Sequence, residues 1–109
     1  KGASVIVSNS LLHHLHNPQR LWASVNQLAV PNAFMLHRDL RRPSNKQEVD
    51  ALCDRYVSKS PSVLQRDFRA SLIAAFTADE VREQLDEAGM GQFTVTEIDD
   101  LYLEVSGQW

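Results

Sequence analysis

The sequence contains few of the residues that mark specialised folds. It has one cysteine, Cys53, so no disulfide can form within the chain. A lone cysteine is typical of reducing compartments, and we expect a cytoplasmic setting. No apolar run approaches the roughly 20 residues of a membrane-spanning helix, so no membrane association is predicted. No signal peptide is evident, and the chain begins with Lys1 rather than Met, as a trimmed or partial product would.

An excess of positive charge is also absent. The chain has eleven Lys and Arg residues and 14 Asp and Glu residues, which gives a net charge of −3. General nucleic-acid binders are usually basic, so no nucleic-acid partner is predicted. Hydrophobic residues make up 43% and charged residues 23% of the 109 residues, as in ordinary globular proteins. We expect one domain spanning residues 1–109.

A strand–helix–strand unit is predicted at the start of the chain. Val5–Val7 is a β-branched run without alternation, which indicates a strand buried on both faces of a parallel sheet. Asn17 and Pro18 are typical of a helix cap and a first helical position. Pro31–Asn32 is predicted to stop this helix and turn the chain into a second strand, Ala33–His37. Such crossovers join parallel strands.

Helices dominate the middle of the chain. After a polar connection at residues 38–45, the predicted helices cover residues 46–58, begin again at Pro61, and begin a third time at Thr77. Thr77 and Glu80 form a T-x-x-E capping box for the third helix, and Gly89 is a suitable C-terminal stop. Cys53 falls on an apolar helical stripe and is interpreted as a core residue.

Two β-rich segments end the chain, at residues 93–99 and 101–105. They are so close in sequence that they must be antiparallel neighbours. The predicted fold class is therefore α/β, with two parallel strands and a C-terminal antiparallel hairpin in one sheet. Helices are expected on both faces, because the parallel strands are apolar throughout.

Three stretches carry a resemblance to a known family. They are SVIVSNSLLHHLHNP at residues 4–18, AFMLHRDLRRP at residues 33–43 and TADEVREQLDEAG at residues 77–89. Together with the terminal hairpin, they resemble the C-terminal half of class I S-adenosylmethionine-dependent methyltransferases, which have a Rossmann-like fold. The resemblance implies that this chain supplies strands 4-5-7-6 of the family order 3-2-1-4-5-7-6. The family usually has glycines in the turn that is Pro31–Asn32–Ala33 here.

The resemblance also implies a cofactor cleft and a chemistry. Ser8, Asn9, Ser10 and Leu11 would line the S-adenosylmethionine cleft, with His13 or His14 near a small-molecule substrate. A histidine there could act as a general base, because its pKa lies near neutrality. The four glycines, at 2, 89, 91 and 107, form no G-x-G loop that opens a helix. We therefore expect the chain alone to bind the cofactor weakly or not at all, and to be inactive.

Other site interpretations remain beside this one. His13, His14 and His16 lack the spacing of zinc ligands, so no metal site is predicted. Arg38, Asp39 and Arg41 could recognise a substrate carboxylate or phosphate, but a solvated loop with an Arg–Asp pair is favoured. The methyl acceptor cannot be inferred.

The first predicted strand raises the question of partners. Without strands 3-2-1 of the family order, Val5–Val7 becomes an apolar edge strand, which is a template for pairing with another chain. We expect homo-oligomerisation through this edge, or its cover by the chain's own N-terminal residues. An alternative to the enzyme interpretation is a non-enzymatic α/β module that self-associates in this way.

Overall fold

The computed structural model describes residues 3–9 and 17–109, which follow the predicted order of elements. These are β1 (Ala3–Asn9), α1 (Gln19–Leu28), β2 (Ala29–Leu40), α2 (Lys46–Val57), α3 (Ser62–Ala74), α4 (Ala78–Glu87), β3 (Thr94–Glu97) and β4 (Tyr102–Gln108). The four strands of this part of the chain form one sheet in the order β1-β2-β4-β3. β1 and β2 are parallel, and the other pairs are antiparallel. The predicted mixed sheet, equivalent to the order 4-5-7-6, is confirmed, with β1 at its edge.

The second strand is longer at both ends than predicted. Residues 38–40 were assigned to a polar connection, and this assignment is wrong because they continue β2 and pair with β4. Arg38 lies opposite Glu104, so the charged residue has a cross-strand partner of opposite sign. The strand extends because β4 is available to satisfy its backbone hydrogen bonds.

Pro31–Asn32 forms an irregularity inside β2 rather than a turn after the helix. The register with β1 jumps from Ala3–Ala29 to Val5–Phe34, so β2 carries extra residues here. Asn32 has φ of 67°, in the left-handed region that asparagine tolerates better than most residues. Asparagine thus adopts a conformation that glycine commonly supplies.

One face of the sheet is covered by α1 and α4. Trp22 and Leu85 contribute to the main core from these two helices, and Met35 and Leu103 contribute from the sheet. The Trp22 indole N–H donates to Gln84 Oε1 at 3.2 Å, so the polar atoms at this buried contact are paired. This face is the better packed one.

The opposite face is covered only at one end. Leu40 and Tyr102 are cross-strand partners on this face and pack with a second cluster formed mainly by α2 and α3. Helices therefore contact both faces, but unevenly. The prediction that Val5–Val7 is buried on both faces is wrong, because Val5 is 61% and Val7 69% exposed.

The predicted helix ends are largely confirmed. The capping box of Thr77 and Glu80 is present at α4, and Gly89 has φ of 73° just beyond this helix. The Asn17 side chain accepts from the Gln19 backbone N–H at 3.0 Å, but α1 begins at Gln19, one residue later than predicted. Local side-chain chemistry thus determines these boundaries to within a residue.

Candidate functional site

The carboxyl ends of β1 and β2 lie side by side. Because the strands are parallel, Ser8 is the register partner of His37, and Asn9 that of Arg38. In open α/β sheets, ligands bind outside this end of the strands. The edge formed by these residues is therefore the candidate site.

A buried polar network joins the two strands there. Ser8 Oγ lies 2.6 Å from His37 Nδ1, and His37 Nε2 lies 3.1 Å from Asp39 Oδ2. The imidazole is fully buried and Asp39 is 1% exposed. With a neutral imidazole and an ionised Asp39, Nε2–H donates to the carboxylate and Nδ1 accepts from the Ser8 hydroxyl. Trp22 stands edge-on to the imidazole at 5.7 Å between ring centroids.

The network directs the chemistry of Ser8. Its hydroxyl hydrogen is engaged by His37, so its remaining lone pairs can accept from an N–H or O–H of a ligand. Serine, histidine and aspartate also form hydrolase triads, but there the imidazole meets serine through Nε2 and aspartate through Nδ1. Here the order is reversed and the imidazole is enclosed. The arrangement suits an acceptor hydroxyl held in place better than a free nucleophile.

The three residues predicted to bind substrate are not brought together. Arg38 Nη2 contacts Glu104 Oε2 at 3.0 Å on the open face of the sheet, whereas Asp39 is buried on the covered face. Arg41 donates from Nε to the Asp99 carbonyl at 3.0 Å. The predicted Arg–Asp pair in a solvated loop is wrong, because successive side chains of a strand point to opposite faces. Substrate binding by these residues remains a prediction.

Arg41 lines an open cavity of about 420 Å³ beyond the end of β2. The remaining walls come from α2 and the β3–β4 hairpin, including Glu48, Arg55 and Asp100. Arg55 Nη1 lies 2.6 Å from Asp100 Oδ2. The Tyr56 hydroxyl donates to Asp100 and, with Arg55, lowers the pKa of that carboxyl below its ordinary value. The charges in the cavity wall largely pair with each other.

Sequence reasoning missed both of these groupings. His37 and Asp39 are two positions apart in a strand, and this spacing places both on one face. Arg55 and Asp100 are 45 residues apart and belong to separate elements, so no local pattern connects them. The first grouping could have been found by extending β2 to Asp39.

Some predicted site residues lie outside the described residues. These are Ser10, Leu11, His13 and His14; His16, which was considered only as a zinc ligand and not predicted to be one, lies there too. Within residues 3–9 and 17–109, no group of three or more His, Cys, Asp or Glu residues is arranged to hold a metal ion. None of the helices in this part of the chain is long and apolar enough to cross a membrane.

Comparisons with known proteins show the fold. No protein-family profile matches the sequence, and no curated protein matches it. Among solved structures, it resembles a SAM-dependent methyltransferase from Aquifex aeolicus, with a TM-score of 0.60 and 17% identity over 96% of this chain and 45% of that chain. It also resembles a possible exported protein from Bordetella parapertussis, with a TM-score of 0.62 and 19% identity over 98% of this chain and 39% of that chain. The chain thus spans less than half the length of these two proteins.

Proposed function

We propose that this chain is the C-terminal half of a class I S-adenosylmethionine-dependent methyltransferase domain and supplies one wall of its cofactor cleft. The observation that carries this proposal is the β1-β2-β4-β3 sheet, which aligns over 96% of this chain with under half of a methyltransferase. The candidate site lies at the carboxyl edge of the parallel pair, where α/β sheets bind ligands. Fold similarity supports the class of chemistry and not a substrate.

The wall has a defined polar character. Ser8 is held by His37 with its lone pairs available, and this fits a ligand hydroxyl or amine. By resemblance, Asn9, Ser10 and Leu11 continue the wall, with His13 or His14 near the methyl acceptor. S-adenosylmethionine supplies an activated methyl group, and the residues of this chain contribute by orienting cofactor and acceptor. The acceptor is a small molecule.

The opposite wall of the proposed cofactor cleft needs glycine. Close backbone approach to the cofactor requires a glycine turn at this edge. Gly89 follows α4, and the Cβ positions of Gly91 and Gly107 face Asp86 and Phe93. These three glycines belong to helix-end and strand contacts elsewhere in the fold. We therefore infer that the isolated chain binds the cofactor weakly or not at all and is inactive.

Calorimetric titration with S-adenosylmethionine and its demethylated product tests the proposal. We expect no saturable heat with this chain alone, and clear binding by it alone contradicts the proposed incompleteness. The sequence encoded upstream of Lys1 is the second test. A strand followed by a glycine-rich turn there supports the assignment, and a sequence without one refutes it.

A second candidate function is a non-enzymatic module that pairs through β1. The specific observation in its favour is that β1 is an edge strand with exposed Val5 and Val7. Sedimentation velocity distinguishes the two candidates. Concentration-dependent dimers favour the module, and a monomer at high concentration excludes pairing through this edge.

We place the protein in the cytoplasm, on the strength of its single cysteine. The Bordetella parapertussis neighbour is described as a possible exported protein, which makes the compartment worth measuring. Fractionation of the producing cells tests this placement, and recovery outside the cytoplasm refutes it.

A further inference from the structure

The edge of the sheet opposite β1 is formed by β3, and the register identifies which of its backbone groups point outwards. The Ile98 N–H donates to the Tyr102 carbonyl at 3.0 Å, so the backbone of Ile98 faces β4. Successive residues of an antiparallel strand face their partner strand alternately. By this alternation, the N–H and C=O groups of Val95 and Glu97 point away from β4, towards the free edge of the sheet.

One of these outward groups has a partner from α4. Arg82 Nη2 donates to the Val95 carbonyl at 2.8 Å, and Arg82 Nη1 lies 2.6 Å from Asp79 Oδ1. The guanidinium is thus held by one contact on its own helix and one on the edge of the sheet. An added strand would place a backbone N–H at the same carbonyl, at a similar distance of about 2.9 Å. Arg82 therefore occupies the position that the backbone of an added strand needs.

Two open cavities lie on either side of this contact. Arg82 and Val95 line both of them, one of about 410 Å³ that extends to Glu97 and one of about 360 Å³ that extends to Phe93. Residues of α4 and of the β3 segment form the walls of each cavity, so the Arg82 side chain crosses between two parts of one groove. The edge has room for an extended segment on both sides of Arg82.

We propose that Arg82 keeps the β3 edge closed to β3 of a second copy of this chain, which would otherwise pair with it antiparallel. A second copy fits because the edge is self-complementary. With Thr96 on the twofold axis, Val95 of one copy lies opposite Glu97 of the other, and these two residues exchange both backbone hydrogen bonds. No carboxylate then lies directly opposite another, which would be destabilising. The inference does not depend on the proposed function.

The other edge of the sheet fits β3 less well. Pairing of β3 with β1 of a second copy is head-to-tail, so it leaves a free edge at each end and does not close. Pairing of β3 with β3 closes after two copies. The two edges also differ in cover, since Val5 and Val7 on β1 are exposed whereas Arg82 contacts β3. Association through β1 is therefore independent of Arg82 and is a separate event in the test.

Sedimentation velocity and amide hydrogen exchange of Arg82→Ala, compared with the parent chain, test the proposal. We expect dimers of the variant at a roughly tenfold lower concentration, because loss of the guanidinium frees the Val95 carbonyl for a second copy. The N–H groups of Val95 and Glu97 should then exchange more slowly as the concentration rises, since pairing protects them. Arg66→Ala is the matched control, because Arg66 is a 77% exposed arginine on α3, and it should behave as the parent does.

Arg82→Met is the second variant, because methionine keeps a long side chain and a good helix former but has no donor. A folded variant that associates no more than the parent would overturn the proposal. Association that leaves exchange at Val95 and Glu97 unchanged, or slows it at residues 3–9 instead, would also overturn it, because the contact would lie elsewhere. Loss of the native amide spectrum in both variants would overturn it as well, since Arg82 would then be needed for the fold itself. None of these measurements involves the cofactor, so the proposed function stands or fails separately.

Discussion

The two faces of the sheet come from the same strands but have different surroundings. On the covered face, Met35 is 3% exposed and Leu103 is fully buried beneath α1 and α4. On the open face, Phe34 is 56% exposed, although it is adjacent to Met35 in the sequence. Apolar side chains thus occupy both faces of β2, and only one face has a full helical layer.

The residue pattern of β2 is that of a strand covered on both faces. An antiparallel sheet with one solvated face alternates apolar and polar residues, whereas a doubly covered parallel sheet does not. Residues 33–36 are apolar without alternation, which is the doubly covered pattern. The open face at Phe34 and Leu36 therefore has the composition of a buried surface although both side chains are exposed.

Truncation of one leucine on each face gives the largest expected contrast. Leu103→Ala removes a fully buried side chain, and we expect a loss of about 2–5 kcal/mol in the free energy of unfolding. Leu36→Ala on the open face should change it by less than about 0.5 kcal/mol. Urea denaturation of both variants measures this. Equal losses would show that the open face is covered in solution.

Residues 38 and 39 provide the next comparison. Asp39→Ala removes the acceptor of a buried imidazole N–H, at a cost of about 1–3 kcal/mol. Arg38→Ala removes an exposed ion pair with Glu104 and should cost at most about 1 kcal/mol. Thermal unfolding ranks the two. A larger loss of stability for Arg38→Ala would contradict the assignment of Asp39 to the covered face and Arg38 to the open face.

The order of elements and the sheet class could be predicted because they depend on local signals. The signals are the hydrophobic runs, the T-x-x-E box at Thr77 and the helix stop at Gly89. Each depends on residues that are close together in the sequence. The end of β2 could not be predicted from local signals. Arg38 and Asp39 resemble a loop until β4, more than 60 residues later, supplies a strand beside them.

The contacts at the candidate site could not be predicted from the sequence. Ser8 was placed at the cleft by resemblance, and the sheet register puts its partner, His37, beside it. The contact between them depends on a strand pairing across 29 residues, which no spacing rule encodes. The predicted burial of Val5 and Val7 is wrong. An apolar residue type shows that a side chain is suited to a protein interior, but it does not show whether another element covers that side chain.

Helix caps test whether α4 and α2 contribute differently to the two faces. Thr77→Ala removes the side chain that accepts from the Glu80 N–H at 3.2 Å and should destabilise the fold by about 1 kcal/mol, because α4 covers the main core. Asn45→Ala removes the equivalent cap of α2, where Asn45 accepts from the Glu48 N–H at 2.9 Å. We expect this loss mainly as faster hydrogen exchange within α2, which covers only one end of its face. Equal effects on global unfolding would contradict this division.

The smallest expected effect is the acid response of α4. Arg42 lies 3.0 Å from Glu80 and, together with the Thr77 backbone N–H, lowers the pKa of its carboxyl below the ordinary 4.5. The ionised form therefore stabilises the folded state above pH 4.5, and this contribution is lost as pH falls through the lowered pKa. Both side chains are more than a third exposed, so solvent limits the pair to about 0.2–1 kcal/mol.

Glu80→Gln keeps the shape and the capping acceptor but removes the charge. We expect it to lower the midpoint of thermal unfolding slightly at neutral pH, with a gap to the parent chain that closes in acid. Glu83→Gln, on the exposed side of the same helix, is the control and should show a smaller gap. A gap for Glu80→Gln that is unchanged in acid would exclude its carboxylate as the cause. Any loss of stability of the covered face in acid would then come from other titrating groups. Glu80 acts on α4 through two contacts, its hydrogen bond from Arg42 and its hydrogen bond from the Thr77 backbone N–H.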